Sequence, residues 1–572
     1  MNTQVDQIFA QRAFDETIVK ELEKSGKHPV LARILAARGV LPDEVNKSTL
    51  NDLLPWNGPN GLKGIVEAAN LLADAVQTGK KIVIVADYDA DGATACAVGI
   101  RALRAMGAIV DFAVPDRMTM GYGLSIDVVK FAARMKPDLL LTVDNGISSH
   151  DGVDYANELG IPVIVTDHHL AGETLPAAVA IVNPNQPGCR FPSKNIAGVG
   201  VSFYLMLALR HVLKEREHFH TRPIPNMANL LDLVALGTVA DVVKLDHNNR
   251  ILVANGLKHL VGNSCNKGIA ALIQVSERDR LKIKSIDLGF LIGPRLNAAG
   301  RMADMSAGIR CLATDNSDEA MELATELDQL NRERRKVEAS MCEDVEPLLQ
   351  NIKSIGQYTL ALYDPQWHTG VIGILASRVK DKVHRPVITF APGIASGQIR
   401  GSGRSIVGFH LRDALERINY LHPGLMQSFG GHAMAAGLTI EEARLGEFRT
   451  AFEKVGQEWL TPDLLTNKFE HDGPLDVSSM NVAVIETVTN ETWGQGFPTP
   501  VFEGEFKVAR QRILKEKHSK LTLSQNGKQV DGIFFGFADS LPEQIKAFFS
   551  VEINEWMGAK TVQISIKRVG QG

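Results

Sequence analysis

Five short, largely apolar runs, rich in β-branched residues, recur between 81 and 183. They are KIVIVA (81–86), AIVDFAV (108–114), DLLLTV (138–143), IPVIVT (161–166) and AVAIVN (178–183). Stretches of helical character, such as TACAVGIRALRAMG and SIDVVKFAARM, lie between them, and GIVEAANLLADAVQTG precedes the first. A strand that is apolar on both faces has to be covered on both. Helices in the crossovers supply that cover, so the alternation predicts a parallel sheet between helical layers. Sheets of this kind bind ligands beyond the carboxyl ends of their strands, which puts functional residues just after each run.

Those positions are acidic. The first run opens into DYDADG, with Asp87, Asp89 and Asp91 at alternate positions. The third ends in Asp144, within TVDNGIS, and the fourth in Asp167-His168-His169. Asp241 follows a later apolar stretch in GTVADVV. A calcium loop of the EF-hand kind is excluded: it needs a glutamate at its twelfth position, where Val98 stands, and a helix before it, where a strand is expected. Carboxylates crowded at one sheet edge repel one another and hold their protons unless cations neutralise them. Hard oxygen ligands with one or two imidazoles suit Mn²⁺ or Mg²⁺. Some six ligands exceed the needs of one octahedral ion with open positions, so a centre of two metal ions is expected.

The rest of the 572-residue chain is long enough for two to four domains in all. A helical stretch is followed by SDEAMELATELDQLNRERRKVEASMCEDVEPLLQ, about 317 to 350, with Leu323, Leu327, Leu330, Val337 and Met341 at helical spacing and Asn316 or Ser317 as cap. This reads as a rigid connector of about 45–50 Å at 1.5 Å per residue. A second α/β segment covers about 355 to 460, TPDLLTNKFEHDGPLD (461–476) has linker character, and a tail of short strands suggests a small β-barrel. A net charge of −5 neither requires nor excludes nucleic acid, because a basic groove can sit on an acidic protein. Basic residues interleave with apolar ones in FKVARQRILKEKHSK, which is either a groove for single strands or a solvated strand face. Five scattered cysteines without a CxxC pair point to a reducing compartment. With no signal-like start and no apolar run of bilayer length, a cytoplasmic protein without membrane contact is expected.

VADYDADGATA, TVDNGIS, TDHH and GTVADVV resemble, in order, the four motifs of the DHH phosphoesterase superfamily. WHTGVIGILASRV (367–379), GSGRS (401–405) and GGHAMAAG (430–437) resemble its DHHA1 companion domain. GPRLNAAGRM (293–302), the connector and the β-rich tail narrow the resemblance, which spans nearly the whole chain, to single-strand-specific 5′→3′ DNA exonucleases of that superfamily. The fold class implied is α/β: a parallel-sheet DHH domain joined by a long helix to a smaller α/β DHHA1 domain, followed by a C-terminal OB-like β-barrel. The implied boundaries are an N-terminal helical segment at 1–60, the DHH domain at 61–315, the connecting helix at 316–350, the DHHA1 domain at 351–462 and the barrel, binding single-stranded DNA, at 463–572.

The resemblance implies hydrolysis to nucleoside 5′-monophosphates by two Mn²⁺ or Mg²⁺ ions, in DNA repair and recombination. The ligands implied are Asp89, Asp91, Asp144, His168 and Asp241, with Asp144 bridging. Asp87 lies nearby, where other DHH enzymes often carry a histidine. His169 is placed to contact the scissile phosphate or help proton transfer. Asp167 either orients a ligand or caps the following turn. The GSGRS segment, read as a loop with a nest of N–H groups beside Ser402, Arg404 and Ser405, is implied to bind the 5′-terminal phosphate. Arg117, Tyr122, Arg295, Asn297, Arg301 and Arg378 are implied substrate contacts, with Tyr122 offering a stacking face. His432 either contacts nucleotide or packs beneath its glycine loop, and Trp367 reads as core. Implied partners are single-stranded DNA, a single-strand-binding protein and a helicase, with the enzyme a monomer. A phosphodiesterase for cyclic dinucleotides or very short RNA would usually lack the tail and connector. A degenerate DHH replication scaffold would have lost the acidic ligands, which stand intact here.

Overall fold

The computed structural model describes residues 7–115, 120, 123–350, 356–556 and 558–570. Arg117 and Tyr122 lie outside them. The chain divides into two compact units: residues to Ala10 with Asn331–Glu470, and Gln11–Leu330 with His471–Gly572.

In the larger unit, strands β2 (Lys81–Ala86), β3 (Ile109–Ala113), β4 (Leu139–Val143), β5 (Val163–Thr166) and β6 (Ala180–Val182) form an all-parallel sheet in the order β3-β2-β4-β5-β6. Each falls within one of the five runs; β2, β4 and β5 are buried on both faces, which leaves a continuous apolar signature, while β3 is a partly exposed edge strand carrying Asp111. From β2 the chain first moves outward to β3 and then returns to the other side as β4. The strand order therefore reverses between β2 and β4, and the crevice at that reversal is where doubly wound sheets take ligands.

The same unit holds the closed barrel of β13 (Phe502–Leu514), β14 (His518–Gln525), β15 (Lys528–Phe534), β16 (Gln544–Trp556) and β17 (Ala559–Gly570). Its order, β13-β14-β15-β17-β16, with β15 and β17 parallel, is the five-stranded Greek-key closure of an OB-type barrel. Its inward Phe502, Phe506 and Phe549 belong to the same continuous apolar core as the helices over the parallel sheet.

Asn316 caps the connecting helix Ser317–Gln350 by accepting from the N–H groups of Asp318 and Glu319. The helix carries the chain into the smaller unit, where β7 (Leu360–Tyr363), β8 (Val387–Pro392), β9 (Gln398–Arg404), β10 (Ser428–Gly431) and β11 (Ala435–Glu441) form a mixed sheet, β10-β11-β9-β8-β7. β1 (Gln7–Gln11) pairs with β12 (Asn467–His471) in a two-stranded ribbon, with Phe9 edge-on to Phe469.

Two expectations are corrected. The 461–476 segment is not a plain linker: it contains β12 and, just after it, buried Asp472, which pairs with Arg38. GSGRS is not a loop either. Gly401, Ser402, Gly403 and Arg404 lie in β9, in register with β8 on one side and β11 on the other. Their backbone is committed to the sheet, so no nest of N–H groups forms there. The glycines answer a packing demand: a Cβ on Gly401 or Gly403 would lie 2.6 Å from neighbouring side-chain carbons.

Candidate metal centre

Register brings the acidic residues together. Ala86 pairs with Val143, and Val143 with Thr166, so Asp87, Asp144 and Asp167 follow one residue later on three adjacent strands. Neighbouring strands lie about 4.8 Å apart, which sets three carboxylates in a row at the mouth of the switch-point crevice. Asp144 turns away from β4 at φ +62°, a left-handed conformation that aspartate tolerates better than most residues.

Asp89 caps the helix Ala90–Met106, its Oδ1 accepting from the N–H groups of Asp91 (2.8 Å) and Gly92 (3.0 Å). Asp91, in the first turn, accepts from Gly198 (2.7 Å) and Val199 (2.9 Å) at the start of the helix Gly198–Glu215. Asp241 is the C-cap of Leu231–Ala240. The next residue, Val242, has φ +62°, a genuine outlier for a β-branched side chain.

His168 joins these groups. Its Nε2 lies 3.1 Å from Asp144 Oδ1, 3.5 Å from Asp241 Oδ2 and 3.9 Å from Asp91 Oδ2. Asp91, His168 and Asp241 form one set of potential ligands, and Asp87, Asp89 and Asp144 another, the atoms within each set lying within 4.8 Å of one another. A third set, Asp144, His168 and His169, shares a residue with each of these, and Asp144 Oδ1 lies 3.1 Å from His168 Nε2.

Burial raises the Asp91 carboxyl to about 7, assisted by the charge of Asp89. Burial also pushes Asp144 and Asp241 well above the usual carboxylate range, with the surrounding aspartates adding to it. Asp144 Oδ1 is buried and accepts no hydrogen bond. Crowded carboxylates with an orphaned buried oxygen, plus one imidazole, fit hard divalent cations.

Asp167 both caps and orients. Its Oδ2 accepts from Ile147 N–H (3.0 Å), and its Oδ1 from the N–H groups of His168 (2.7 Å) and His169 (3.1 Å) and from His169 Nδ1 (2.7 Å). Burial alone would raise Asp167; the hydrogen bond and charge of His169 bring it below its ordinary value. Burial opposes charge on His169 as well, but the Asp167 hydrogen bond and the nearby carboxylates lift it to about 9.

Asn183 and Asn185 position the histidines from outside the four motifs, and Asn145 acts from inside TVDNGIS. Asn183 Nδ2 donates to His169 O (3.0 Å) and Asn185 Nδ2 to His168 O (2.6 Å), while buried Asn145 donates to the carbonyls of Val85 and Val143. The signal for Asn183 and Asn185 is the NPN that closes the fifth run, a polar cluster one strand beyond the histidines.

Asn297 accepts from Ala90 N–H at 2.9 Å and so fixes the DxDxDG turn. Arg301 lies in the last turn of the same helix, Gly293–Met302. Arg295 is buried, its guanidinium donating to Asp328 Oδ1 and Leu291 O.

In the smaller unit, Arg404 donates to Ser402 Oγ at 3.3 Å. Gly373, in the first turn of the helix Ile372–Val383, lies over both side chains; a Cβ there would be 2.8 Å from Ser402 Oγ and 3.0 Å from Arg404 Nη2. Ser405 is buried and donates to Phe409 O, away from that surface. Arg378 donates to Glu338 Oε1, His432 sits in the β10–β11 turn, and Trp367 is buried.

Switch-point crevice, carboxylate row and paired histidines define a member of the DHH family. The family model for the DHH N-terminal domain matches residues 81–238, that for the DHHA1 domain residues 356–458, and that for the RecJ OB domain residues 471–568. The chain belongs to the RecJ family. It is 47% identical to the single-stranded-DNA-specific exonuclease RecJ of Escherichia coli (strain K12) over 95% of this chain and 96% of that protein. The RecJ of Bacillus subtilis (strain 168) is 33% identical over 97% of this chain and 69% of its own length. The crystal structure of RecJ from Thermus thermophilus in complex with Mn²⁺ superposes with a TM-score of 0.81 at 29% identity, covering all of this chain and 80% of that one.

Proposed function

We propose that this chain is a single-strand-specific DNA exonuclease that hydrolyses phosphodiester bonds from the 5′ end, releases nucleoside 5′-monophosphates, and serves DNA repair and recombination. The observation that carries this reading is the buried carboxylate row at the switch point, with Asp144 shared by two potential ligand sets, in a chain of the RecJ family. Asp89, Asp91, Asp144, His168 and Asp241 would hold the metal ions, with Asp87 beside them. Two Mn²⁺ or Mg²⁺ ions held there would neutralise charge on the phosphate and acidify a water. Asp167 holds His169 by Nδ1, which leaves Nε2 to donate to the scissile phosphate, and the Asp167 hydrogen bond favours the protonated ring. Asn297 keeps the DxDxDG turn in place.

Ser402 and Arg404, under the start of Ile372–Val383, form the anion-binding group for a 5′-terminal phosphate, with Arg301, Arg378 and His432 as further substrate contacts. Exposed Lys507, Arg510, Arg512 and Lys520 on β13 and β14 give the barrel a cationic face for single strands. Among the described residues no helix is long and apolar enough to cross a membrane. We place the protein in the cytoplasm, where five free thiols stay reduced. It acts there as a monomer beside a single-strand-binding protein and a helicase.

Strands labelled at either end, incubated with Mn²⁺, test the reading. The 5′ label is expected to leave first as mononucleotide, and Asp144→Ala to lower the rate by roughly a thousandfold or more, as loss of a metal ligand does. A variant that cuts as fast as the parent removes the metal centre from the chemistry.

A further inference from the structure

Phe290 is an aromatic side chain left in solvent, 75% exposed, on the π-helical turn Leu288–Ile292. Turns of this kind are rare and concentrate at functional sites. This one is held firmly. Gly289 and Gly293 lie against the end of the helix Leu231–Ala240, where a Cβ would meet Val239 Cγ1 at 3.2 Å and Ala240 Cβ at 3.0 Å. That helix is capped by the metal-ligand candidate Asp241. In the other direction the turn runs straight into Gly293–Met302. Ile286, Phe290, Pro294, Asn297 and Arg301 recur every three or four residues and all reach the surface, the first two exposed and the rest half-buried. They form one stripe, apolar at one end and polar at the other. Its polar end includes Asn297, which grips the DxDxDG turn at Ala90 N–H. Phe290 stands about 10 Å from Asn297 along the axis at 1.5 Å per residue.

We propose that Phe290 is a stacking platform for a nucleobase of the single strand lying across the metal centre, displaced along the strand from the scissile bond. The inference rests on the nuclease reading above and adds to it a specificity-determining residue. An aromatic ring with no hydrogen-bonding group takes the face of any base, so it confers no sequence preference. It demands an unpaired strand, because in a duplex the faces are already stacked, and it thereby selects single strands.

The test uses the full-length protein with Phe290→Ala, Phe290→Leu and Phe290→Trp. In EDTA, strands carrying 2-aminopurine at successive positions report stacking by fluorescence quenching; with Mn²⁺, KM is measured on a 5′-phosphorylated strand. One 2-aminopurine position is expected to be quenched by the parent and by Phe290→Trp but not by the other two variants. KM is expected to rise on the order of tenfold in Phe290→Ala and Phe290→Leu and to recover in Phe290→Trp. The proposal is overturned if leucine serves as well as phenylalanine, or if alanine alters neither quenching nor KM. A parent protein that leaves the strand intact sinks the nuclease reading too; a parent that cuts, with indifferent variants, sinks stacking alone.

Discussion

Asp167 spends both oxygens on its surroundings, and four donors converge on it. With Asp167→Asn the carboxylate that lifts His169 to about 9 is gone, while the burial that works against a charged ring remains. The His169 proton then leaves at lower pH. The expected outcome is a 10- to 100-fold loss of kcat, deeper at about pH 8 than at about pH 6, with the alkaline limb of the pH–rate profile moved toward neutrality. A uniform loss at every pH would mean that the charge on His169 does not matter. The metal-free protein carries a second pH signature. Folded Asp91 holds its proton up to about 7, above its ordinary value of 3.8. Between those values the folded chain binds more protons than the unfolded one, so stability is present at the acid end and lost as pH rises through about 7. Raised Asp144 and Asp241 act in the same sense, and lowered Asp167 in the opposite one. Metal-free protein should therefore melt at lower temperature at about pH 8 than at about pH 6. Mn²⁺ should restore more stability at the higher pH, and a scanning calorimeter measures both.

Two helix starts frame Asp89 and Asp91, and glycine is what lets the groups around them approach. Gly198 opens the helix whose first N–H groups hold Asp91, and a Cβ on it would lie 2.5 Å from Asp144 Oδ1 and 2.6 Å from Asp144 Cβ. Gly198→Ala must displace either that helix start or Asp144. The prediction is weaker Mn²⁺ binding by roughly tenfold or more in isothermal titration, with far-UV circular dichroism unchanged; unaltered binding would show that the crevice has slack. The elements themselves were legible. Buried strands announce themselves as apolar runs, and side chains placed just past each run had to share an edge. What was not legible has a common cause, that one residue pattern serves two physical ends. GSGRS carries the glycines of a turn, yet they sit in a crowded central strand where Phe390, Leu438, Ile388 and Leu411 leave no room for a Cβ. Asn183 and Asn185 look like loop polarity and in fact hold the carbonyls of both histidines. The Asp328 that holds the Arg295 guanidinium lies thirty-three residues away, beyond any local pattern.

At the scale of the larger unit, one buried ion pair ties the N-terminal segment to the approach to the barrel. Arg38 and Asp472 have side chains 2% and 1% exposed, and the guanidinium binds both carboxylate oxygens, at 2.6 and 3.1 Å. Arg38 also donates to Ile34 O and Pro498 O and lies over the Trp493 ring, while Asp472 Oδ2 accepts from Val501 N–H one residue before β13. Removing one partner strands the other charge in an apolar setting, which costs about 3–5 kcal/mol. Arg12, 3.3 Å from the same carboxylate, offsets part of that, so Arg38→Met is expected near the lower end. Replacing both partners removes the stranded charge, so Arg38→Met/Asp472→Leu should recover much of the loss. Denaturant titration of the two singles and the double closes the cycle. A coupling below about 0.5 kcal/mol would mean the pair acts independently. Because the barrel shares its core with the parallel-sheet domain, a large coupling should have a catalytic consequence. Arg38→Met should raise KM for long strands, which reach the barrel, more than for strands too short to leave the metal centre.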